Sequence, residues 1–191
     1  MAQLAQGISQ LSLKPGEEEI KAKHWYQFWK RIKEMSKESL EISIQYEWRP
    51  ILSSESQEYR FPDRITDFMK QKYNIPAIYR WILYRDDRAD PCKMYIGSAM
   101  QLCPQRIRGY LNPGPTQETN KRLNSLFNDH KNRGFKISLD YLEFEELRVG
   151  SLGFKDLGEK DVRLFLERAM ISLHKWKSYR LLNKDVEDLT T

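Results

Sequence analysis

AIYRWIL at residues 77–83 and KMYIGSA at residues 93–99 are two short apolar stretches, each with a tyrosine inside it. Alternation along an extended chain puts Tyr79 and Trp81 on one side of the first and Ile78, Arg80 and Ile82 on the other. The intervening DDRADP is turn-forming, so the two are expected to pair as a β-hairpin with a slightly long loop. Gly97, two residues after Tyr95, lets the backbone pass close to a ring or a phosphate because no Cβ stands in the way. A single strand tyrosine is otherwise as well explained as a core aromatic with a satisfied hydroxyl.

Outward from this hairpin the pattern is that of a small α/β (α+β) layer. PQRIRGYL is a short helix, NPGPTQ breaks the chain, and ETNKRLNSLFNDHKNRG is a helix with Gly134 as its C-cap. KISLDYLEF alternates as a third strand, and a glycine-containing loop, RVGSLGFKDLG, leads into the helix EKDVRLFLERAMISLHKW. There Val162, Phe165, Leu166, Ala169, Leu173 and Trp176 form the expected apolar stripe. Upstream, RITDFMKQKY reads as a short amphipathic helix. LEISIQYEW at 40–48 reads as a strand with Ile42, Ile44 and Tyr46 on one face, closed by Pro50. A helix is expected from Glu17 through EEEIKAKHWYQFWKRIKEM, with Ile20, His24, Phe28, Ile32 and Met35 at helical spacing and charges that suit the helix dipole. The expected organisation is a loose tail at 1–16, a helix and strand extension at 17–73, and a core at 74–191 with a three-stranded antiparallel sheet flanked by helices.

At 191 residues the chain is long enough for one well-buried core, with little room for a second full domain. No stretch approaches the roughly 18 uncharged apolar residues that a membrane helix needs, so no membrane role is expected. The N-terminal stretch lacks the basic start and apolar run of a secretory signal, so a cytoplasmic location is expected. Cys92 and Cys103 have no CxxC spacing and no nearby histidine pair, the pattern of reduced thiols rather than a zinc site. A formal net charge of +5 tilts the partner list toward polyanions without deciding it.

Helix geometry places Glu167 beside the apolar stripe, on a flank shared with Arg163, Met170 and His174. A carboxylate at the edge of a buried face is fixed and partly desolvated, which suits a metal ligand, although such residues are ordinarily ion-pair partners, here of Arg163 at i−4. The order of residues adds more: a tyrosine on one strand, a tyrosine two residues before a glycine on the next, then an arginine on a helix and a glutamate on a late helix. AIY at 77–79, YIG at 95–97, QRIRGY at 105–110, FLERAM at 165–170 and Asn183 together resemble the GIY-YIG nuclease superfamily, most closely its type II restriction and homing-type members. The resemblance covers residues 74–185 and leaves the first seventy unexplained.

That resemblance implies a metal-dependent endonuclease acting on DNA. Tyr79 and Tyr95 would orient or deprotonate the attacking water. Arg106 would hold the scissile phosphate, a task that a forked guanidinium suits better than an ammonium. Tyr110 sits where the family places a histidine or tyrosine, Glu167 would hold one Mg²⁺ or Mn²⁺, and Asn183 would tie the site together. A phenol is too weak a base at neutral pH without nearby positive charge, which Lys93, Arg106 and the metal could supply. Ala77 replaces the family's usual glycine, and Ser98 stands where repair-type members carry lysine. One residue is inserted before Arg106, which makes Arg108 a rival for the phosphate.

HWYQFWKRIK at 24–33 mixes aromatics with Lys30 and Arg31, a composition for DNA contact or for packing between layers. Lys131 and the segment HKWKSYR at 174–180 add basic surface. No second DNA-binding module is visible, so the core itself must read sequence, as in a restriction enzyme. A palindromic double-stranded site would then require a homodimer, with a cognate methyltransferase as partner. The rival readings are a DNA-binding or interaction protein on a degenerate core, and a homing or repair nuclease.

Overall fold

The computed structural model describes residues 41–85, 91–177 and 179–183. The tail, the helix from Glu17, Lys30 and Arg31 lie outside the described residues. The elements are β1 (Ile42–Pro50), α1 (Asp67–Lys72), β2 (Ala77–Tyr84), β3 (Pro91–Ala99), α2 (Ile107–Leu111), α3 (Glu118–Asn132), β4 (Ile137–Val149), β5 (Leu152–Phe154) and α4 (Lys160–Trp176). A wide helical turn, Leu102–Arg106, runs into α2. The protein has an α+β fold built on one antiparallel sheet.

The chain forms two compact units. The larger, Ile44–Leu147 with Gly153–Asn183, holds every residue of the candidate site. In the smaller, the described residues are 41–43 and 148–152, where Gly150 N–H donates to Glu41 O at 2.9 Å and Gly150 takes the positive φ of 60° that glycine tolerates.

The hairpin predicted from the opening stretches is present. β2 pairs antiparallel with β3, with Tyr79 opposite Gly97 and Trp81 opposite Tyr95. β4 pairs with the other edge of β2 through Tyr79–Tyr141 to Leu83–Ile137. Among the described residues the sheet has five strands in place of the expected three, in the order β1-β4-β2-β3 with β5 beside β4. The reason is the length of β4. It runs 13 residues and pairs with β2 only over Ile137–Tyr141, so backbone remains for further strands. β1, expected in an N-terminal extension, therefore belongs to the sheet, and RVGSLGFKDLG, expected as a loop, contains β5.

Alternation sorts the side chains into two layers. Ala77, Tyr79, Trp81, Leu83 and Tyr95 join a core with Tyr59, Phe61, Leu102, Tyr110, Leu123 and Phe127. Ile78, Ile82, Met94 and Ile96 are buried on the opposite face, where α4 packs on β2 and β3 and buries Val162, Leu166 and Met170. Trp81 is fully buried among aromatic rings 5.2–6.2 Å away, and its truncation to alanine would remove about 3–5 kcal/mol.

The helix signals read from sequence have local causes. Thr66 caps α1 by accepting from Met69 N–H. The C-cap of α3 is Arg133, one residue before the expected Gly134, which follows it at φ 81° and donates to Lys131 O at 2.8 Å in the left-handed turn that ends the helix. The stripe on α4 differs from expectation. Val162 and Leu166 are buried as expected, but their companions are Arg163, Met170 and His174, while Trp176 is 81% exposed. The buried face is rotated toward Glu167.

Candidate active site

β2 and β3 bring Tyr79 and Tyr95 to one face of the sheet, and the turn after β3 delivers Arg106 and then Tyr110 above them. Tyr79 Oη lies 2.7 Å from Tyr110 Oη, and Arg106 Nε donates to Tyr79 Oη at 2.6 Å. The Arg106 guanidinium is 4.9 Å from the Tyr110 ring centroid, and the Tyr95 and Tyr110 rings are 6.1 Å apart. Four of the residues singled out from sequence thus form one contact cluster. Its closeness depends on Gly97: a Cβ there would lie 2.5 Å from Tyr79 Oη and 3.1 Å from Tyr95 Cε1.

Burial governs the ionisation of this cluster. It pushes the Tyr79 phenol well above its ordinary value, as does neighbouring Tyr95, while Arg106 and the hydrogen bonds oppose the shift. Tyr110 is raised for the same first reason. Both stay neutral phenols at pH 7. Burial opposes charge on the Arg106 guanidinium, but the neighbouring Tyr79, Tyr110 and Tyr95 outweigh it, and the group stays charged. Its terminal nitrogens make no hydrogen bond among the described residues and are free to grip an oxyanion. An open depression of about 420 Å³ lies beside it, lined by Tyr95, Arg106 and residues 116–120 at the start of α3.

Glu167 approaches from α4, across the sheet. Ser98 Oγ donates to Glu167 Oε2 at 2.5 Å. Burial raises the Glu167 carboxyl, while Ser98, Arg106 and two further arginines favour its charged form. Glu167 forms no hydrogen bond or ion pair with Arg106 or the tyrosines among the described residues; its contact is with Ser98, on the α4 face of β3. Asn183 binds the same strand: its Oδ1 accepts from Ile96 N–H at 3.0 Å and its Nδ2 donates to Ile96 O at 2.7 Å. Residues 180–182 continue this contact along the outer edge of β3 through Met94.

The auxiliary basic residues are distributed differently. Lys93 is half-buried on β3, and Arg108 is exposed on α2, two residues beyond the arginine that meets the tyrosines. Lys131 lies in the last turn of α3, about 20 Å along the helix from the first turn beside the depression, so the structure does not bring it to the site. Cys103 is free and buried, and burial pushes its thiol up to about 11, leaving an unreactive group.

Two features escaped the sequence reading. Ser98 was noted only for its difference from lysine; its place one residue after Gly97, and hence on the α4 face of the strand, was the available signal. The other is a polar knot under α4. Arg80 pairs with its cross-strand partner Asp140 at 2.8 Å, stacks 4.4 Å from Trp48, and places Nη1 3.4 Å from His174 Nε2.

No protein-family model, curated protein or solved structure matches this chain. Among the described residues, no three His, Cys, Asp or Glu side chains come together, and no helix is long and apolar enough to cross a membrane.

Proposed function

We propose that this protein is a divalent-metal-dependent endonuclease that hydrolyses DNA phosphodiester bonds, a restriction-type enzyme cutting a specific double-stranded site as a homodimer. The observation that carries the reading is the convergence of Tyr79, Tyr110 and Arg106 through hydrogen bonds of 2.6 and 2.7 Å beside an open depression. Core aromatics do not require a half-exposed guanidinium among them, whereas phosphate chemistry does.

The roles divide by exposure. Arg106 spends Nε on Tyr79, which fixes the plane of the guanidinium and leaves its terminal nitrogens for a phosphate. There it offsets charge that grows on the phosphoryl oxygens in the transition state. Tyr79, fully buried and neutral, acts as the orienting group, sharing a hydrogen bond with Tyr110. Tyr95 lines the depression, which supports a role for it at the nucleotide and the attacking water. Lysine at position 106 would keep the charge but lose the fork.

Glu167 fits a metal ligand in one respect that the structure supplies. Its Oε2 is taken by Ser98, and Oε1 accepts no hydrogen bond among the described residues. One carboxylate oxygen suits Mg²⁺, which keeps much of its water and takes further oxygens from substrate phosphate. When bound, the ion polarises the phosphate and favours departure of the leaving oxygen.

The test is incubation of purified protein with phage and plasmid DNA in Mg²⁺, in Mn²⁺ and in EDTA, resolved on a gel. Discrete metal-dependent fragments support the proposal, and their ends give the recognition site. Salt-sensitive retardation of DNA without cleavage would move the reading to a DNA-binding protein on a degenerate core.

A further inference from the structure

We propose that Ser98 is a positioning residue for the metal ligand: its hydroxyl holds Glu167 by Oε2 so that Oε1 alone is presented to a divalent ion. This rests on the endonuclease reading above and assigns a role to a residue which that reading does not need. The two side chains are 69 positions apart in the chain, one on β3 and one on α4, and meet at 2.5 Å. A hydroxyl that donates to an ionised carboxylate makes a charge-assisted bond, roughly twice as strong as a neutral one.

The strand fixes the hydroxyl with unusual firmness. Gly97 is packed beneath the Tyr79 ring, so β3 cannot shift toward that face without a collision. On the outer edge, both backbone polar groups of Ile96 are held by Asn183. Ser98 therefore projects toward α4 from a segment restrained on two sides. A glutamate has three rotatable side-chain bonds, and one fixed donor on one oxygen selects among its rotamers before the ion arrives. The same strand thus serves both halves of the site: Tyr95 and Gly97 face the arginine and tyrosines, and Ser98 faces the carboxylate.

An alternative role for the bond is merely to satisfy a half-buried carboxylate. The two roles separate experimentally. Mn²⁺ binding to the full chain without DNA is followed by the loss of the free-Mn²⁺ electron paramagnetic resonance signal. It is measured for the natural protein, Ser98→Ala, Ser98→Thr and Glu167→Gln, alongside thermal melting and the Mn²⁺ dependence of cleavage. The expected result is an affinity about 10- to 100-fold weaker in Ser98→Ala, the usual effect of removing a residue that orients a ligand, with a matching shift in the metal midpoint of cleavage and near-natural values in Ser98→Thr. A folded Ser98→Ala that binds Mn²⁺ like the natural protein overturns the positioning role and leaves the endonuclease reading intact. Equal Mn²⁺ binding by the natural protein and Glu167→Gln overturns the metal assignment itself, and this inference with it.

Discussion

Gly97 stands directly across the hairpin from Tyr79, and the volume its missing Cβ would occupy is filled by the Tyr79 phenol, 2.5 Å from the ideal Cβ position to Oη. The Tyr79 ring is fully buried and cannot swing into solvent to yield. Gly97→Ala is therefore expected to displace the phenol from Arg106, to cost about 1–3 kcal/mol of stability as an overpacked core does, and to abolish cleavage. Chemical denaturation and a plasmid assay check both effects. A natural midpoint with full activity would mean that the ring has room the structure does not show.

Arg106→Lys keeps a positive charge but gathers its donors on one ammonium, losing the planar fork that bonds Tyr79 through Nε and presents two further nitrogens to a phosphate. Cleavage should fall about 100-fold or more, in line with the loss of one transition-state donor. DNA retardation should change far less. Arg108→Ala, at an exposed position, should leave the rate near natural. The reverse ranking of the two arginines in a single-turnover assay would transfer the phosphate role to Arg108.

Glu167→Ala removes the proposed metal ligand and little packing, since its neighbours Leu166 and Met170 carry the buried contacts of that turn. Metal-dependent cleavage should disappear while DNA binding and the melting temperature persist. Retained cleavage in Mg²⁺ would assign the ion to another carboxylate, such as Glu145 or Glu159, both of which are exposed.

His174 is buried beneath α4, its Nδ1 bonded to Met170 O at 2.7 Å and its Nε2 facing Arg80. Burial lowers its affinity for a proton, and the charges of Arg80 and Lys177 lower it further, although the Met170 bond opposes them. The folded pKa therefore lies below the unfolded value of about 6.5. Below that pH the unfolded chain takes up a proton that the folded chain resists. The stability involved is present in full above about pH 6.5 and is lost as the pH falls toward the folded pKa, at most about 1.4 kcal/mol per unit. Melting temperatures between pH 5 and 8 should decline on the acid side, and His174→Gln should flatten part of the decline. His130, also shifted downward by burial, accounts for a remainder.

The hairpin was legible because its information is local. A period of two and a turn-forming linker determine which residues of β2 and of β3 share a face, whereas the register of Tyr79 against Gly97 comes from the structure. The grouping of Tyr79, Tyr95, Arg106 and Tyr110 was expected from the resemblance of their order to a nuclease motif rather than from periodicity, and all four lie within 32 consecutive residues. The extent of the sheet was not, because the partners of β4 beyond Tyr141 are set by distant backbone rather than by alternation.

The amino-acid sequence by itself determined the mixed α and β elements, the paired tyrosines, the role of Gly97 in their approach, and the glycine at which α3 ends. Only the tertiary structure decided which face of α4 is buried. Hydropathy centres that helix on Phe165, Leu173 and Trp176, yet Arg163 and His174 lie inside and Trp176 outside. Arg163 can be buried because Leu157 O and Gly158 O accept its hydrogen bonds, and His174 because Met170 O and Arg80 meet its ring. A buried polar group is stable only where partners are delivered to it, and those of Glu167 and His174 come from strands more than sixty residues away. Periodicity along one helix holds no record of such partners.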